Sequence, residues 1–182
     1  MHTLFIGHNP SISTWETGHY FASPTNHFWK LIAESGLIDS IRDEDNRGII
    51  RHNDDFMVTR GFGFTDFIER PGNDANAIIE TDIYFNRELF PKRIENYANG
   101  INSQLKRLCF VGKKQWKQQF SKNLAKCDHG LQDIELRPKH WPIQLRKLKV
   151  WVLPSPSGRA VISPADRLES YVLLAKELRN GD

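Results

Sequence analysis

The sequence predicts an α/β fold: a single-domain three-layer sandwich in which a central, mostly parallel four-stranded sheet is flanked by helices. Three observations carry this expectation. Three short apolar runs, Leu4–Ile6, Leu108–Val111 and Val150–Leu153, each stop at a glycine or a proline. Their hydrophobicity is continuous rather than alternating, the pattern of strands buried on both faces of a parallel sheet. Between them lie stretches with apolar residues at helical spacing.

The elements follow in order. Leu4–Ile6 is the first strand and runs into the turn at Gly7–Ser13. Phe28–Ser35 places Phe28, Leu31 and Ile32 at i, i+3, i+4 and stops at Gly36, a helix with one buried face. Asp39–Asp55 is polar and reads as a loop around a short helix. Phe62–Ile68 reads as either a fourth strand or a loop. Asp82–Tyr97 carries a helical stripe that Pro91 breaks or kinks. Leu108–Val111 leads through Gly112 into a helix at Lys113–Phe120. Lys122–Lys149 is rich in Lys and Arg and reads as an exposed excursion. The last helix announces its start, with Ser163 as N-cap, Pro164 at the first position and Asp166 three residues on. Leu168, Tyr171, Leu174 and Leu178 form its buried stripe. No repeat and no long linker divides the 182 residues, so the whole chain, 1–182, is expected to be one domain burying roughly 70% of its unfolded surface.

Composition bounds the function. Twenty-five basic and 22 acidic side chains leave a net charge of +3, compatible with a nucleic-acid partner and far from demanding one. The apolar run begins within three residues of Met1, leaving no room for a signal peptide, and no run approaches the ~18 residues of a membrane span. An intracellular protein is therefore expected. Two cysteines, Cys109 and Cys127, are too few for a disulfide framework or an iron–sulfur cluster. The seven histidines show no close H-x₃-H pairing, so no metal site is assigned.

Ligands of open α/β sheets bind outside the carboxyl ends of the strands. The three apolar runs end in Gly7–Ser13, Gly112–Lys114 and Pro154–Ala160, which makes these loops candidates for one shared site. The first contains an amide, Asn9, held against Pro10. A dozen residues later come Phe21, a second amide at Asn26, and the aromatics Phe28 and Trp29. A polar group at a strand end opposite a flat stacking surface suits a planar base held out of its helix. The third loop has two prolines that stiffen it, two serines, and Gly158, which permits close approach of another backbone; such a loop suits phosphate contacts.

These segments resemble the uracil-DNA glycosylase superfamily, and most nearly its mismatch-specific uracil/thymine branch. LFIGHNPS at Leu4–Ser11 and TGHYFASPTNHFWK at Thr17–Lys30 are similar to GINPG followed by GxxFAxPxNRFWK. GFGFTDFIERP at Gly61–Pro71 resembles GxGFTNxVER, Gly112-Lys113 resembles the family's strand-to-helix turn, and LPSPSGR at Leu153–Arg159 resembles LPNPSG or LPSSSAR. The resemblance implies a monofunctional DNA glycosylase of base excision repair. It would flip a deaminated base, uracil or thymine mispaired with guanine, and hydrolyse its N-glycosidic bond without a cofactor. Its partner would be double-stranded DNA carrying a damaged or mismatched base. A monomer that resides with the DNA is expected.

The resemblance also implies roles. Asn9 would be catalytic, orienting a water towards the anomeric carbon. Phe21 would stack on the flipped base, with His8, Ser11, Asn26 and Thr65 around it. Lys113, Ser155, Ser157 and Gly158 would contact DNA phosphates, and Arg159 would push into the duplex in place of the flipped nucleotide. Phe28 and Trp29 are expected in the core, and Asn26 is expected to cap the following helix. Asp66 would assist water activation if it points inward. Three positions depart from the pattern: His8 and Ser11 within GHNPS, and His27 where the family carries Arg. Ser11 and the GHYFASPTNHFW stretch also resemble the superfamily's hypoxanthine-DNA glycosylases, which makes hypoxanthine or xanthine the alternative substrate. A lesion-binding module with little catalysis is the alternative of a different class.

Overall fold

The computed structural model describes residues 1–38, 53–100, 103–121, 124 and 127–180. In chain order the elements are β1 (Thr3–Gly7), α1 (Ile12–Thr17), α2 (Phe28–Glu34), α3 (Asp54–Thr59), β2 (Phe62–Asp66), a 3₁₀ turn at Ala75–Ala77 and α4 (Glu80–Ala98). There follow β3 (Arg107–Val111), α5 (Lys113–Lys117), β4 (Gly130–Leu131), α6 (Ile143–Arg146), β5 (Lys149–Leu153) and α7 (Pro164–Asn180). The short helix expected within Asp39–Asp55 falls almost wholly on residues 39–52, which lie outside the described residues; α3 starts only at Asp54 and runs to Thr59, beyond the expected range.

The strands form one sheet in the order β2-β1-β3-β5-β4. The three inner pairings are parallel, and β4 joins β5 antiparallel. The sheet thus has five strands, not four. The extra one is a two-residue edge pairing, too short to leave a periodic signal, and it lies in the segment read as an exposed excursion. That reading is corrected in part: much of the segment is exposed, but Trp141 and Leu145 are buried in the core, and Gln132 and Arg137 are buried polar residues. Arg137 is held there by donating to the carbonyls of Leu136 at 2.9 Å and Leu148 at 3.1 Å. Buried guanidinium N–H groups need such acceptors.

Strand alternation divides the interior in two. Leu4 and Ile6 of β1 face one side, with Phe90 and Ile94 of α4, Trp116 of α5, Trp141, and Leu145 of α6. Phe5 faces the other, with Phe28 and Leu31 of α2, Met57 of α3, and Tyr171 and Leu174 of α7. The sandwich follows from the period of two along a strand. Each large apolar side chain buried in this way stabilises the fold by ~1.5–3 kcal/mol.

Local chemistry explains the helix ends. Ser163 Oγ accepts from the Asp166 N–H at 3.1 Å and donates to the Asp166 carboxylate at 2.7 Å, the expected start of α7. Pro91 does not end α4, which runs unbroken through it. Proline has no N–H for the carbonyl four residues back, which is Arg87, and His140 supplies the hydrogen bond to that carbonyl instead. No helix among the described residues is long and apolar enough to cross a membrane.

Candidate active site

The carboxyl ends of β1, β2, β3 and β5 open into a cavity of about 360 Å³. Its lining joins Gly7–Ser11 after β1, Tyr20 and Phe21, Ser23–Asn26 in part, Asp66 at the end of β2, Val111, and Ser155–Ser157 with Arg159 after β5. The convergence expected from strand polarity is therefore real for the first and third loops.

The two motifs lock together through the backbone. Asn26 and Ser157 form an antiparallel bridge, and the His27 N–H donates to the Pro156 carbonyl at 2.8 Å. Gly158 makes this possible, because a Cβ there would stand 2.8 Å from the Thr25 carbonyl oxygen. Gly158 does not itself line the cavity. Asn26 Oδ1 accepts from the Phe28 N–H at 2.9 Å, a turn just ahead of α2; the N-cap position itself is His27, not Asn26 as expected, and its side chain makes no cap bond. Ser11 Oγ accepts from the Thr14 N–H at 3.1 Å and caps α1.

Asn9 lines the cavity with both ends of its amide engaged. Nδ2 donates to the Gly72 carbonyl at 2.9 Å. Oδ1 lies 3.0 Å from Nδ1 of His8. An amide oxygen only accepts, so the ring carries a proton on Nδ1. His8 Nε2 is 3.0 Å from Gln118 Oε1, closing a chain Gln118–His8–Asn9. Burial, with the charge of Lys114 adding to it, pushes the His8 pKa below the ordinary value. A neutral ring has one N–H, so with the proton on Nδ1 it bonds Gln118 only where that amide turns its NH₂ group towards Nε2. Asn9 Oδ1 retains a second lone pair for a water.

Phe21 sits in the left-handed region at φ 55°, which a bulky L-residue rarely adopts. Such strain persists only where the surroundings impose it, and it clusters at binding sites. The surroundings here are clear. One face of the ring stacks on Phe28, centroids 4.0 Å apart, while the residue also borders the cavity. Just before it, the Asp54 carboxylate holds the chain, accepting from the Tyr20 N–H at 2.9 Å and facing His19 Nδ1 at 2.9 Å. His19, Asp54 and Asp55 are the one cluster among the described residues with metal-ligand spacing, and Asp54 already has these partners. Phe28 and Trp29 are core residues, as expected.

Two expected residues fall elsewhere. Thr65 is buried and does not line the cavity. It pairs with Ile6 in register, so the strand's alternation turns it to the opposite face of the sheet. Lys113 does not line the cavity either; its charge acts on Cys127 and His129. Lys114, next to it, is the lysine on the His8 side.

The alternation that removes Thr65 delivers Asp66. It pairs with Gly7 across the sheet, and a Cβ on Gly7 would collide with the Asp66 carboxylate. The glycine makes room for the acid. Tyr20 and Phe64 stack beside it, centroids 5.4 Å apart. The carboxyl has no hydrogen-bond or ion-pair partner among the described residues. Its nearest guanidinium, Arg93, is spent on the main chain, donating to the Asp66 and Phe67 carbonyls, and on Glu69 at 3.1 Å. Burial raises the Asp66 pKa from 3.8 to about 7, against a smaller lowering by Arg93. Burial and the Asp66 charge in turn push the Tyr20 phenol up to about 12. Sequence reasoning saw Asp66 without its orientation. The signal was there in the period of two: Phe62 and Phe64 share its face.

At the rim, Arg159 Nη1 donates to the Asn73 carbonyl at 3.2 Å and is otherwise exposed. Ser155 and Ser157 shape its turn, since the Ser157 N–H points to Ser155 Oγ at 3.4 Å and the Arg159 N–H to Ser157 Oγ at 3.3 Å.

A strand-end cavity with an oriented amide, a lone carboxyl, a braced aromatic and an exposed arginine at its mouth is coherent with the resemblance carried by the motifs. The family model of the uracil DNA glycosylase superfamily matches residues 2–179, nearly the whole chain, and the protein belongs to that superfamily of DNA glycosylases, hydrolases of the N-glycosidic bond.

Proposed function

We propose that this chain is a monofunctional DNA glycosylase, acting as a single-domain monomer, that flips uracil or thymine mispaired with guanine out of the duplex and releases it by hydrolysis. One arrangement carries the reading: Asn9, Asp66 and Phe21 border a single cavity at the carboxyl end of the sheet. Breaking the C1′–N bond develops positive charge on the sugar and negative charge on the base. Asn9 Oδ1 holds a water against C1′. As the water oxygen bonds to C1′, its proton passes to the Asp66 carboxylate, and the base leaves with the electron pair of the broken bond. A carboxyl titrating near 7 is better matched to this step than an ordinary aspartate, because it takes the proton with more driving force while staying substantially ionised. Phe21, braced by Phe28, stacks on the base, a contact worth about 1–3 kcal/mol. Ser155 and Ser157 meet phosphates, and Arg159 fills the gap in the duplex.

The test is a panel of duplexes carrying U, T, hypoxanthine and xanthine opposite each base, with abasic sites cleaved by alkali. Release of uracil opposite guanine is expected at the highest rate. Preference for hypoxanthine or xanthine moves the substrate to the purine alternative, and duplex binding with no release of any base favours a lesion-binding module. In single turnover, Asn9→Ala should lose at least a hundredfold in base release and keep duplex affinity within a few-fold, because the phosphate contacts lie elsewhere. A loss below tenfold removes Asn9 from the reaction.

A further inference from the structure

We infer that Trp15, with Ile12 beside it, is a second DNA-reading surface: an apolar lip on the cavity rim that stacks on the nucleobase flanking the flipped nucleotide. This rests on the glycosylase reading above and adds a contact that reading does not contain. The first observation is contrast. Four of the five tryptophans, Trp29, Trp116, Trp141 and Trp151, are at most 5% exposed, whereas Trp15 is 66% exposed. Ile12, one turn back on α1, is 40% exposed. The two form a stripe at i, i+3 that faces solvent.

The second observation is how α1 is held. It buries no residue at all. Its six residues are fixed by polar contacts instead: Ser11 caps its start, Gly18 ends it at φ 75°, and the Ile12 N–H donates to Asn73 Oδ1 at 3.0 Å. Helices of this length are marginal without packing. This one is pinned at its ends, and its apolar stripe contributes nothing to that anchoring.

The third observation is place. Ser13 and Thr14 of the same helix line the cavity. Asn73 joins the stripe to the wedge, since its side chain takes the Ile12 N–H and its carbonyl takes the Arg159 guanidinium. Ile12, Asn73 and Arg159 are therefore consecutive along the rim, and Trp15 extends the line by one helical turn. Two side chains make a patch far below the ~800 Å² per partner of a stable protein interface. An indole at the mouth of a pocket sized for one base has a ready flat partner, the base next to the extruded one. Every base offers a π-face, so the contact adds affinity without choosing sequence.

The experiment uses the full chain, a duplex with a single U·G pair, the same duplex without uracil, and acrylamide as quencher. Trp15 is the accessible indole, so the abasic duplex left after uracil release should lower the wild-type quenching constant at least twofold. Trp15→Ala should weaken binding of that abasic duplex by about tenfold and slow release from U·G under subsaturating conditions by a similar factor. Trp15→Phe should keep most of both, and neither variant should shift the melting temperature. Wild-type release with unchanged binding and rate in Trp15→Ala overturns the lip and leaves the glycosylase reading intact. Unprotected quenching in the bound complex overturns it as well. A wild-type chain that releases no base from any duplex overturns the glycosylase reading, and protection of Trp15 in that case still supports the lip.

Discussion

Asp66 ends β2 at the carboxyl edge of the sheet, and Arg107 begins β3 at the amino edge. Arg107 is buried, Asp66 is half-buried on the cavity wall, and their surroundings are opposite. Arg107 Nε donates to Glu177 Oε1 at 2.6 Å, and Lys149 lies 3.6 Å from the other oxygen of the same carboxylate. Asp66 has no such partner among the described residues, and burial raises its pKa to about 7. A buried charge is tolerated where it is paired and bonded; unpaired, it shifts its titration instead. The amino edge therefore joins α7 to the sheet, while the carboxyl edge carries a group that binds and releases protons near neutrality. Perturbed groups of that kind cluster at functional sites.

The sharpest way to break the contrast is Asp66→Asn. Removing a general base costs about 10²–10⁴ in rate. Wild-type release should rise with pH through about 7, as the base form appears, and level off above it. The variant should be slower by at least a hundredfold on the plateau and show no inflection there. Stability should move the other way. The folded pKa lies above the unfolded 3.8, so the folded protein holds the proton more tightly and loses stability as pH rises from about 4 through about 7. Asp66→Asn removes that loss and should melt several degrees higher at pH 8. A variant that is both active and less stable would make Asp66 a structural residue.

Glu177→Gln tests the paired end. It leaves Arg107 buried opposite a neutral amide. Breaking one partner of a buried pair costs about 3–5 kcal/mol, a drop of roughly 6–20 °C in melting temperature for a domain of this size. Base release per folded molecule should not change. Equal loss of activity and stability would mean the two edges of the sheet are coupled.

Arg159→Ala gives the smallest effect and isolates the mouth of the site. Its guanidinium is exposed and touches one backbone carbonyl, so melting should stay within about 1 °C. Release from duplex U·G should fall roughly ten- to a hundredfold, about 1.4–2.8 kcal/mol, because the gap left by the flipped base is no longer filled. Single-stranded uracil has no gap, and its release should change far less. Equal losses on both substrates would assign Arg159 to the pocket instead of the duplex.

Much of this was legible in the residues. Continuous apolar runs ending at Gly or Pro marked β1, β3 and β5, since a strand buried on both faces leaves no polar positions. The N-cap of α7 is short-range chemistry, decided within three residues. Strand polarity brought the loops after β1 and β5 to one place. Other features were not legible. Gly130 and Leu131 pair with β5 only because the chain returns there, and Trp141 is buried because α4 and α5 lie over it. Pro91 lies inside α4 and ends no helix, which its local sequence does not show.

The sequence by itself determined the α/β class, the family, and the neighbourhood of Asn9, Phe21 and Arg159, because these depend on pattern and motif along a continuous stretch. Tertiary structure alone decided which of two adjacent residues serves the site. Thr65 and Asp66 differ by one step along β2, and which of them faces the cavity depends on how the strand seats against its neighbours. It also decided the chemistry of Asp66. A carboxyl titrates near 4 in water, and it moves to about 7 here because the protein around it strips part of its hydration, while Arg93, engaged with main-chain carbonyls and Glu69, offsets this only in part.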